Sequence, residues 1–419
     1  MALAFFTGIM VLVDFYAFSG FKVLIQHLQP TTQRWLKNGF WILSGINIIL
    51  LITFQMLPPH AFWGTRLIIA TFLFAQYFGK FVFIIFLFLD DIVRLFKWLF
   101  ASFRTEKPII NDVASSKWIS RSEFIVKTGV LAGTGLITAL SWGILSGAYN
   151  YRVKRRVVSL KNLPPAFDGF RILQISDIHS GSFWNTDAVR KGVEMIENEN
   201  ADVIFFTGDL VNDKAIEMKP YMNVFNKLKA PHGVFSVLGN HDYGDYVSWH
   251  SPEAKRKNME ELFLYFKKLG WHLLRNENVI LKNGMDSIAL IGVENWGATQ
   301  RFQRLGDIRK AEKGTEGMST RVLLSHDPTH WGSIISRQYQ DIDLTLSGHT
   351  HGGQLGIDCC GIHWSPAGWI YPEWCGLYSN PDSPSPQYLY VNQGLGNIGY
   401  SGRVGILPEI TLITLKRAK

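Results

Sequence analysis

Cysteine is scarce in this chain: there are three in 419 residues, two of them adjacent (Cys359, Cys360) and the third at Cys375. No pair has zinc-finger spacing, and the count leaves room for a single disulfide. Charged residues make up 18% of the chain and the formal net charge is +8, a modest value for this length. No basic patch with interleaved aromatics is present, so nucleic acid is not an expected partner. The serine-hydrolase elbow GxSxG is missing, and no cysteine lies near a candidate histidine, which leaves no evident side-chain nucleophile. Asp, Glu and His are themselves unevenly spread. The first 150 residues have eight of them, and residues 151–419 hold the other 38.

What fills the first 150 residues is Phe, Leu, Ile, Gly and Trp. Four apolar stretches, at about 3–26, 39–57, 66–89 and 124–149, approach the roughly 20 residues needed to cross a bilayer. The first has no basic segment before it and further spans follow, so a cleaved signal peptide is not expected. Residues 90–103, "DDIVRLFKWLFASF", place basic residues between apolar ones at helical spacing and read as an interfacial helix. The first loop carries Lys22, Arg34 and Lys37, the second (58–65) no Lys or Arg, and the third Arg94, Lys97, Arg104, Lys107, Lys117 and Arg121. The positive-inside rule then puts loops one and three in the cytoplasm and everything after the fourth span outside. The run "YRVKRR" at 151–156 argues for the other side. Asp14 and Lys80 fall near the middle of the first and third spans, at similar depth. Charges there face partners inside a bundle, so the two are expected to pair; the alternatives are a snorkelling Lys80, or Lys80 meeting Asn47 or Gln76.

Beyond residue 150 one pattern recurs. Short apolar runs end in polar clusters: "FRILQI" in Ser176, Asp177, Ile178 and His179; "ADVIFFT" in Gly208 and Asp209; "GVFSVL" in Gly239, Asn240, His241 and Asp242; "RVLL" in Ser325 and His326; "DLTLS" in Gly348, His349, Thr350 and His351. The runs read as buried strands, with helical patterns between them at about 186–198, 214–229 and 253–269. Polar clusters at strand C-termini are where open α/β sheets build their sites. Neutral imidazoles with carboxylates suit zinc, manganese or iron better than calcium. Two histidines one residue apart, on a strand end that breaks into glycines, can face one pocket and serve two ions about 3.5–4 Å apart, the clamp used for displacement at phosphorus.

These clusters match the motif set DxH, GD, GNHD, a single His and GHxH, here "DIH", "GD", "GNHD", "SHD" and "GHTH". Residues 157–417 thereby resemble the calcineurin-like metallophosphoesterases. "GHTHGGQ" and "PEITLITL" (408–415) resemble the membrane-linked branch, with its twin-arginine exported phosphodiesterases and relatives of UDP-2,3-diacylglucosamine pyrophosphatase. "SRSEFIVKTG" resembles a twin-arginine signal with Ser122 in place of the second arginine. The resemblance implies a multi-domain chain: a four-span α-helical bundle (1–150), then an α/β metallophosphoesterase domain (151–419), a β-sandwich flanked by helices. It implies two divalent cations (Mn, Zn or Fe), one held by Asp177, His179, Asp209 and His351, the other by Asp209, Asn240, His326 and His349. His241 would serve the pentavalent phosphorus or protonate the leaving group, with Asp242 orienting it. The expected activity is hydrolysis of a phosphodiester or pyrophosphate bond, with membrane lipids as partners and a lipid-linked substrate such as UDP-2,3-diacylglucosamine or a phospholipid. The alternative is a membrane sensor or scaffold with a silent phosphoesterase domain, against which the complete ligand set argues.

Weaker readings concern two loops. In "GLGNIGYSGR" (394–403), Gly394, Gly396 and Arg403 are candidates to meet a phosphate; a plain glycine loop reads equally well. Trp364, Trp369, Tyr371 and Trp374 form either a lip facing lipid or substrate, or the packing of a long loop. His232, His330 and His363 read as surface or core histidines.

Overall fold

The computed structural model describes residues 2–58, 63–101, 121–299 and 301–418; Arg104, Lys107 and Lys117 of the third loop lie outside them. Two compact units result, Met1–Trp142 and Gly143–Lys419. The division falls inside the fourth helix, earlier than the change of composition near residue 150.

The first unit holds helices α1 (Ala2–Ile25), α2 (Pro30–Met56), α3 (Trp63–Ala101) and most of α4 (Arg121–Leu145). All four are long and apolar enough to cross a membrane. Large apolar side chains such as Phe5, Leu12, Ile42, Ile49, Ile68, Phe88 and Leu131 point outward, an arrangement that fits surroundings of hydrocarbon. The separate interfacial helix expected at 90–103 is corrected: Asp90–Ala101 continue α3 without a break. No glycine or proline follows Gly79 in this helix, so its hydrogen bonding propagates, and Arg94 bonds back to Asp90 at 2.8 Å. At 1.5 Å per residue, a 39-residue helix is about 58 Å long, well beyond the roughly 30 Å hydrocarbon core.

The second unit is built on two six-stranded mixed sheets. Its strands are β1 (Arg152–Leu160), β2 (Arg171–Ile175), β3 (Val203–Phe206), β4 (Val234–Ser236), β5 (Trp271–Leu273), β6 (Glu277–Asn283), β7 (Asp286–Gly292), β8 (Arg321–Leu324), β9 (Leu344–Ser347), β10 (Ile357–Cys359), β11 (Ile362–Trp364), β12 (Gly376–Ser379), β13 (Tyr388–Val391) and β14 (Glu409–Arg417). One sheet runs β1-β14-β2-β3-β4-β5 and the other β12-β13-β9-β8-β7-β6, with β10–β11 a separate hairpin. Strand β14 pairs parallel with β1 and antiparallel with β2.

The sheets share an apolar core. Ile172, Phe205 and Phe235 of one meet Leu290, Val322, Leu324, Leu344 and Tyr390 of the other. Strands covered on both faces need continuous apolar runs, which is why the motif-bearing strands do not alternate. Helices α5 (Thr186–Asn198) and, further on, α7 (Pro252–Leu269) cover the outer face of the first sheet through Val189, Val193, Ile196, Leu262, Phe266 and Leu269. Asn185 and Ser251 cap them by accepting from the Ala188 and Ala254 amides. The helix expected at 214–229 is corrected to a 3₁₀ segment (Ala215–Tyr221) and one turn, α6 (Met222–Phe225); Pro220 lacks the amide that a continuous helix would need. All three cysteines are free thiols.

Candidate metal centre

The five polar clusters converge from both sheets. Asp177, His179, Asp209 and Asn240 follow β2, β3 and β4, while His326, His349 and His351 follow β8 and β9. Two donor groups form, Asp177–His179–His351 and Asp209–His326–His349, each with its ligand atoms within 4.8 Å of one another. The Asp209 carboxylate touches both: Oδ2 lies 3.4 Å from His179 Nε2 and 3.1 Å from His326 Nε2. His351 Nε2 lies 3.3 Å from Asp177 Oδ1.

The backbone is bent to bring them there. Asp177, His179, Asp209, His349 and His351 all have positive φ, between 41° and 71°. Such conformations are disfavoured for non-glycine residues and persist only where the surroundings enforce them. Two motif glycines explain the enforcement. A Cβ on Gly348 would lie 1.9 Å from Ser176 Oγ and 2.2 Å from Asp177 Oδ2, and one on Gly239 2.2 Å from Asp209 Oδ1. Chain segments thus approach one another through the space a side chain would fill.

The donor set fits divalent cations. The Nε2 atoms of His179, His326 and His351 are buried with only the Asp209 and Asp177 carboxylate oxygens in reach, at 3.1–3.4 Å and out of hydrogen-bond alignment, and Oδ1 of Asn240 is buried without a partner, an expensive state for groups that have no ligand. Asn240 donates its amide to Tyr246 Oη at 2.8 Å, which leaves its oxygen for the site. Electrostatics point the same way. Burial opposes a proton on His326, yet the Asp209 carboxylate outweighs it and pushes this histidine up to about 10. Burial likewise opposes ionisation of Asp177, but His351 holds its carboxyl well below the usual range. Asp177 and Asp209 thus both stay ionised in a buried site, where a cation would offset their charge. His179, dominated by burial, is pushed down to about 4 and keeps a neutral lone pair.

Half-buried His241 sits beside this centre. Its ring meets those of His179 and Tyr246 at 4.9 and 4.4 Å between centroids, and its Nδ1 lies 2.6 Å from the Asn212 carbonyl oxygen. The orienting role expected for Asp242 is corrected. Its carboxylate instead accepts the amides of Asp209, Leu210, Val211 and Gly239, so it fixes the loops that carry Asp209 and Asn240, and Asn212 orients His241.

The phosphate role considered for Arg403, Gly394 and Gly396 is corrected too. Arg403 is 1% exposed. Its guanidinium donates to the carbonyls of His351, Gln393, Gly394 and Gly396 and to Asn397 Oδ1. The Gly396 amide is taken by the Asp177 carbonyl and the Gly394 amide by Asn392 Oδ1. This loop braces the ligand segments from behind. His330 bonds Ser325 Oγ, His232 packs edge-on against Phe170, and His363 stacks on Trp374; none of the three joins a donor group.

Several neighbours carried no local motif. Tyr371 Oη lies 3.0 Å from His349 Nε2, Asp327 Oδ2 lies 3.6 Å from the same atom, and the Phe302 ring packs edge-on against His349 at 4.8 Å. Arg301, exposed on the loop with Phe302, bears a charge felt at the phenols of both Tyr246 and Tyr371. The carboxylate next to His326 in "SHD" was the one visible signal among these.

Comparison with known proteins follows the same division. Residues 1–148 match the family described as "Probable Calcineurin-like phosphoesterase, transmembrane domain", and residues 170–353 match the calcineurin-like phosphoesterase family. The chain is a membrane-linked calcineurin-like metallophosphoesterase, a class that uses two divalent metal ions. It is 28% identical over 321 residues to an uncharacterised metallophosphoesterase of Bacillus subtilis, YkuE, covering 72% of this chain and 99% of that protein. It is 29% identical over 315 residues to a transmembrane protein with metallophosphoesterase domain of Danio rerio, covering 73% of this chain and 65% of that one. A dimetal phosphatase structure from Danio rerio aligns with TM-score 0.32 at 11% identity, over 54% of this chain and 88% of that one.

Proposed function

We propose that this protein hydrolyses a phosphodiester or pyrophosphate bond at a two-cation centre, on a substrate carried by a membrane lipid, of which UDP-2,3-diacylglucosamine and phospholipids are the model classes. The observation that carries the reading is Asp209, one carboxylate in contact with both donor groups. Asp177, His179, Asp209 and His351 would hold one cation; Asp209, Asn240, His326 and His349 the other. When bound, the cations supply Lewis-acid neutralisation of phosphate charge and a water of lowered pKa. The Asn212 carbonyl keeps the Nδ1 proton of His241 in place, so the imidazolium form carries its second proton on Nε2 and returns to the neutral ring when that proton passes to the departing oxygen. Arg301 adds positive charge at the rim, near Tyr246 and Tyr371. The positive charge of loops one and three supports an extracytoplasmic catalytic unit.

The test uses the full chain in detergent, with metal content and hydrolysis of bis(p-nitrophenyl) phosphate as readouts. Two divalent ions and turnover are expected, with Asp209→Asn losing more activity than substitution of any ligand of one cation, at least about tenfold to a hundredfold. Asp209→Asn retaining near wild-type rates would sink the assignment. Two bound ions without turnover would favour a silent, sensing domain.

A further inference from the structure

The β10–β11 hairpin has its polarity reversed. Ile357 pairs with Trp364 and Cys359 with Ile362, so these four share one face of the ribbon. That face is exposed: Ile357 by 42%, Ile362 by 53% and Trp364 by 45%. The polar residues between them hold the hairpin to the domain. Asp358 binds Lys154, while His363 stacks on Trp374 and contacts Cys375 Sγ. The next turn continues the outer face. Trp369 and Ile370 are 77% and 73% exposed, and Trp369 packs edge-on against Trp364 at 6.0 Å. Soluble domains rarely present such a contiguous apolar surface to water.

Its two ends say what covers it. At one end the hairpin is rooted beside the last turn of the fourth span. Gly143, within α4, accepts the Arg403 amide at 3.1 Å; Val404, the next residue, bridges to Leu355 and accepts the Gly356 amide at 2.9 Å. At the other end the surface reaches the metal centre. Ser365 Oγ donates to the Gly352 carbonyl, next to His351, and Tyr371 meets His349. We infer that the face formed by Ile357, Ile362, Trp364, Trp369 and Ile370 inserts into the headgroup–acyl boundary of the bilayer that the spans cross, and that it delivers bilayer-borne phosphodiesters to the centre. The occupant is lipid because the hairpin is tied through Val404 and Arg403 to Gly143, in the last turn of the fourth helix, and because its face couples tryptophan with isoleucine, the composition of interfacial anchors. The substrate half of this inference rests on the phosphoesterase reading above.

The test uses the full chain in phosphatidylcholine–phosphatidylglycerol nanodiscs, in a C359S/C360S background. An NBD label at Trp369→Cys is compared with one at the exposed Met285→Cys on the β6–β7 turn. The label at 369 is expected to lose most of its emission to nitroxide-labelled lipids and to resist aqueous iodide, with the label at 285 behaving in the opposite way. Equal iodide quenching at both positions overturns the insertion. So does shielding of position 369 from both quenchers, the result that a covering protein would give. In parallel, Trp369→Ser/Ile370→Ser should slow hydrolysis of phosphatidyl-p-nitrophenol in the disc by at least about tenfold, the loss expected for two apolar anchors, while bis(p-nitrophenyl) phosphate turnover stays unchanged. An unchanged rate on the lipid probe overturns the delivery role. A wild-type protein inactive on both probes defeats the phosphoesterase reading, while the quenching result still decides insertion.

Discussion

Lys80 Nζ lies 2.5 Å from Asp14 Oδ1, joining α3 to α1 inside the helical unit. Asp14 is 1% exposed, and its second oxygen accepts from Tyr77 Oη at 3.0 Å. Lys80 also lies over the Tyr77 ring, 4.5 Å from its centroid. The pairing expected from the matched depths of the two charges is thus present. Removing one partner strands the other in an apolar setting. Lys80→Met or Asp14→Leu should therefore destabilise the protein by about 3–5 kcal/mol, while the double substitution recovers most of the loss. Thermal unfolding in detergent of the two singles and the double measures this; additive losses would contradict it.

His241 lies beside both donor groups and joins neither: its ring meets His179, and its amide donates to Asp209 Oδ1. His241→Ala should keep two metals per chain while kcat falls by about 10²–10⁴. Metal analysis of the purified variant decides, since an emptied site would make His241 a ligand.

Arg403 serves the fold and not the phosphate. Replacing it with Met would take the guanidinium donor from the carbonyls of Gln393 and Gly396, while those of His351 and Gly394 keep the amides of Gln354 and Glu409; the cost is about 1–3 kcal/mol for each one left buried and unsatisfied. The expected result is a lower Tm and weaker metal retention through His351, with KM of the metal-loaded fraction unchanged. A raised KM at unaltered Tm would return Arg403 to the substrate.

A carboxyl remote from the centre supplies a pH test. Asp343 accepts the Arg321 amide at 2.8 Å, and burial pushes its pKa up to about 6. Its ordinary value is near 3.9. The folded state therefore keeps a proton that the unfolded state has released between these values, so stability falls as pH rises through this window. The cost is absent below about pH 4 and complete above about pH 6, and it approaches 3 kcal/mol at most. Asp343→Asn keeps an acceptor and removes the charge. Its Tm gain over wild type, with EDTA in both samples, should be near zero at low pH and grow to several degrees at pH 8. A variant less stable than wild type at pH 8 would refute this.

The motif residues could be read from sequence because each cluster is local, a strand end followed by one turn. What could not be read depends on contacts between distant positions. Arg403 reaches His351, and Asp242 reaches back to the Asp209–Val211 amides. "Arginine in a glycine loop" and "carboxylate after histidine" describe such residues equally well in either role, and only burial decides. The same holds for Tyr371, whose ring could face lipid or His349 until the loop is placed. The elements misjudged, 90–103 and 214–229, failed for opposite local reasons. In the first nothing stops α3, and in the second Pro220 prevents a helix that the apolar spacing invites.

Strand β14, the last in the chain, lies between β1 and β2. Strand β1, which follows the fourth helix, has β14 as its one neighbour in the sheet among the described residues. A ribosome at the membrane therefore delivers the four spans and β1 well before β14, and β1 has no sheet partner until residues 409–417 emerge. The first sheet closes only when β14 slots between β1 and β2, so a strand made early is held open for one made more than 240 residues later.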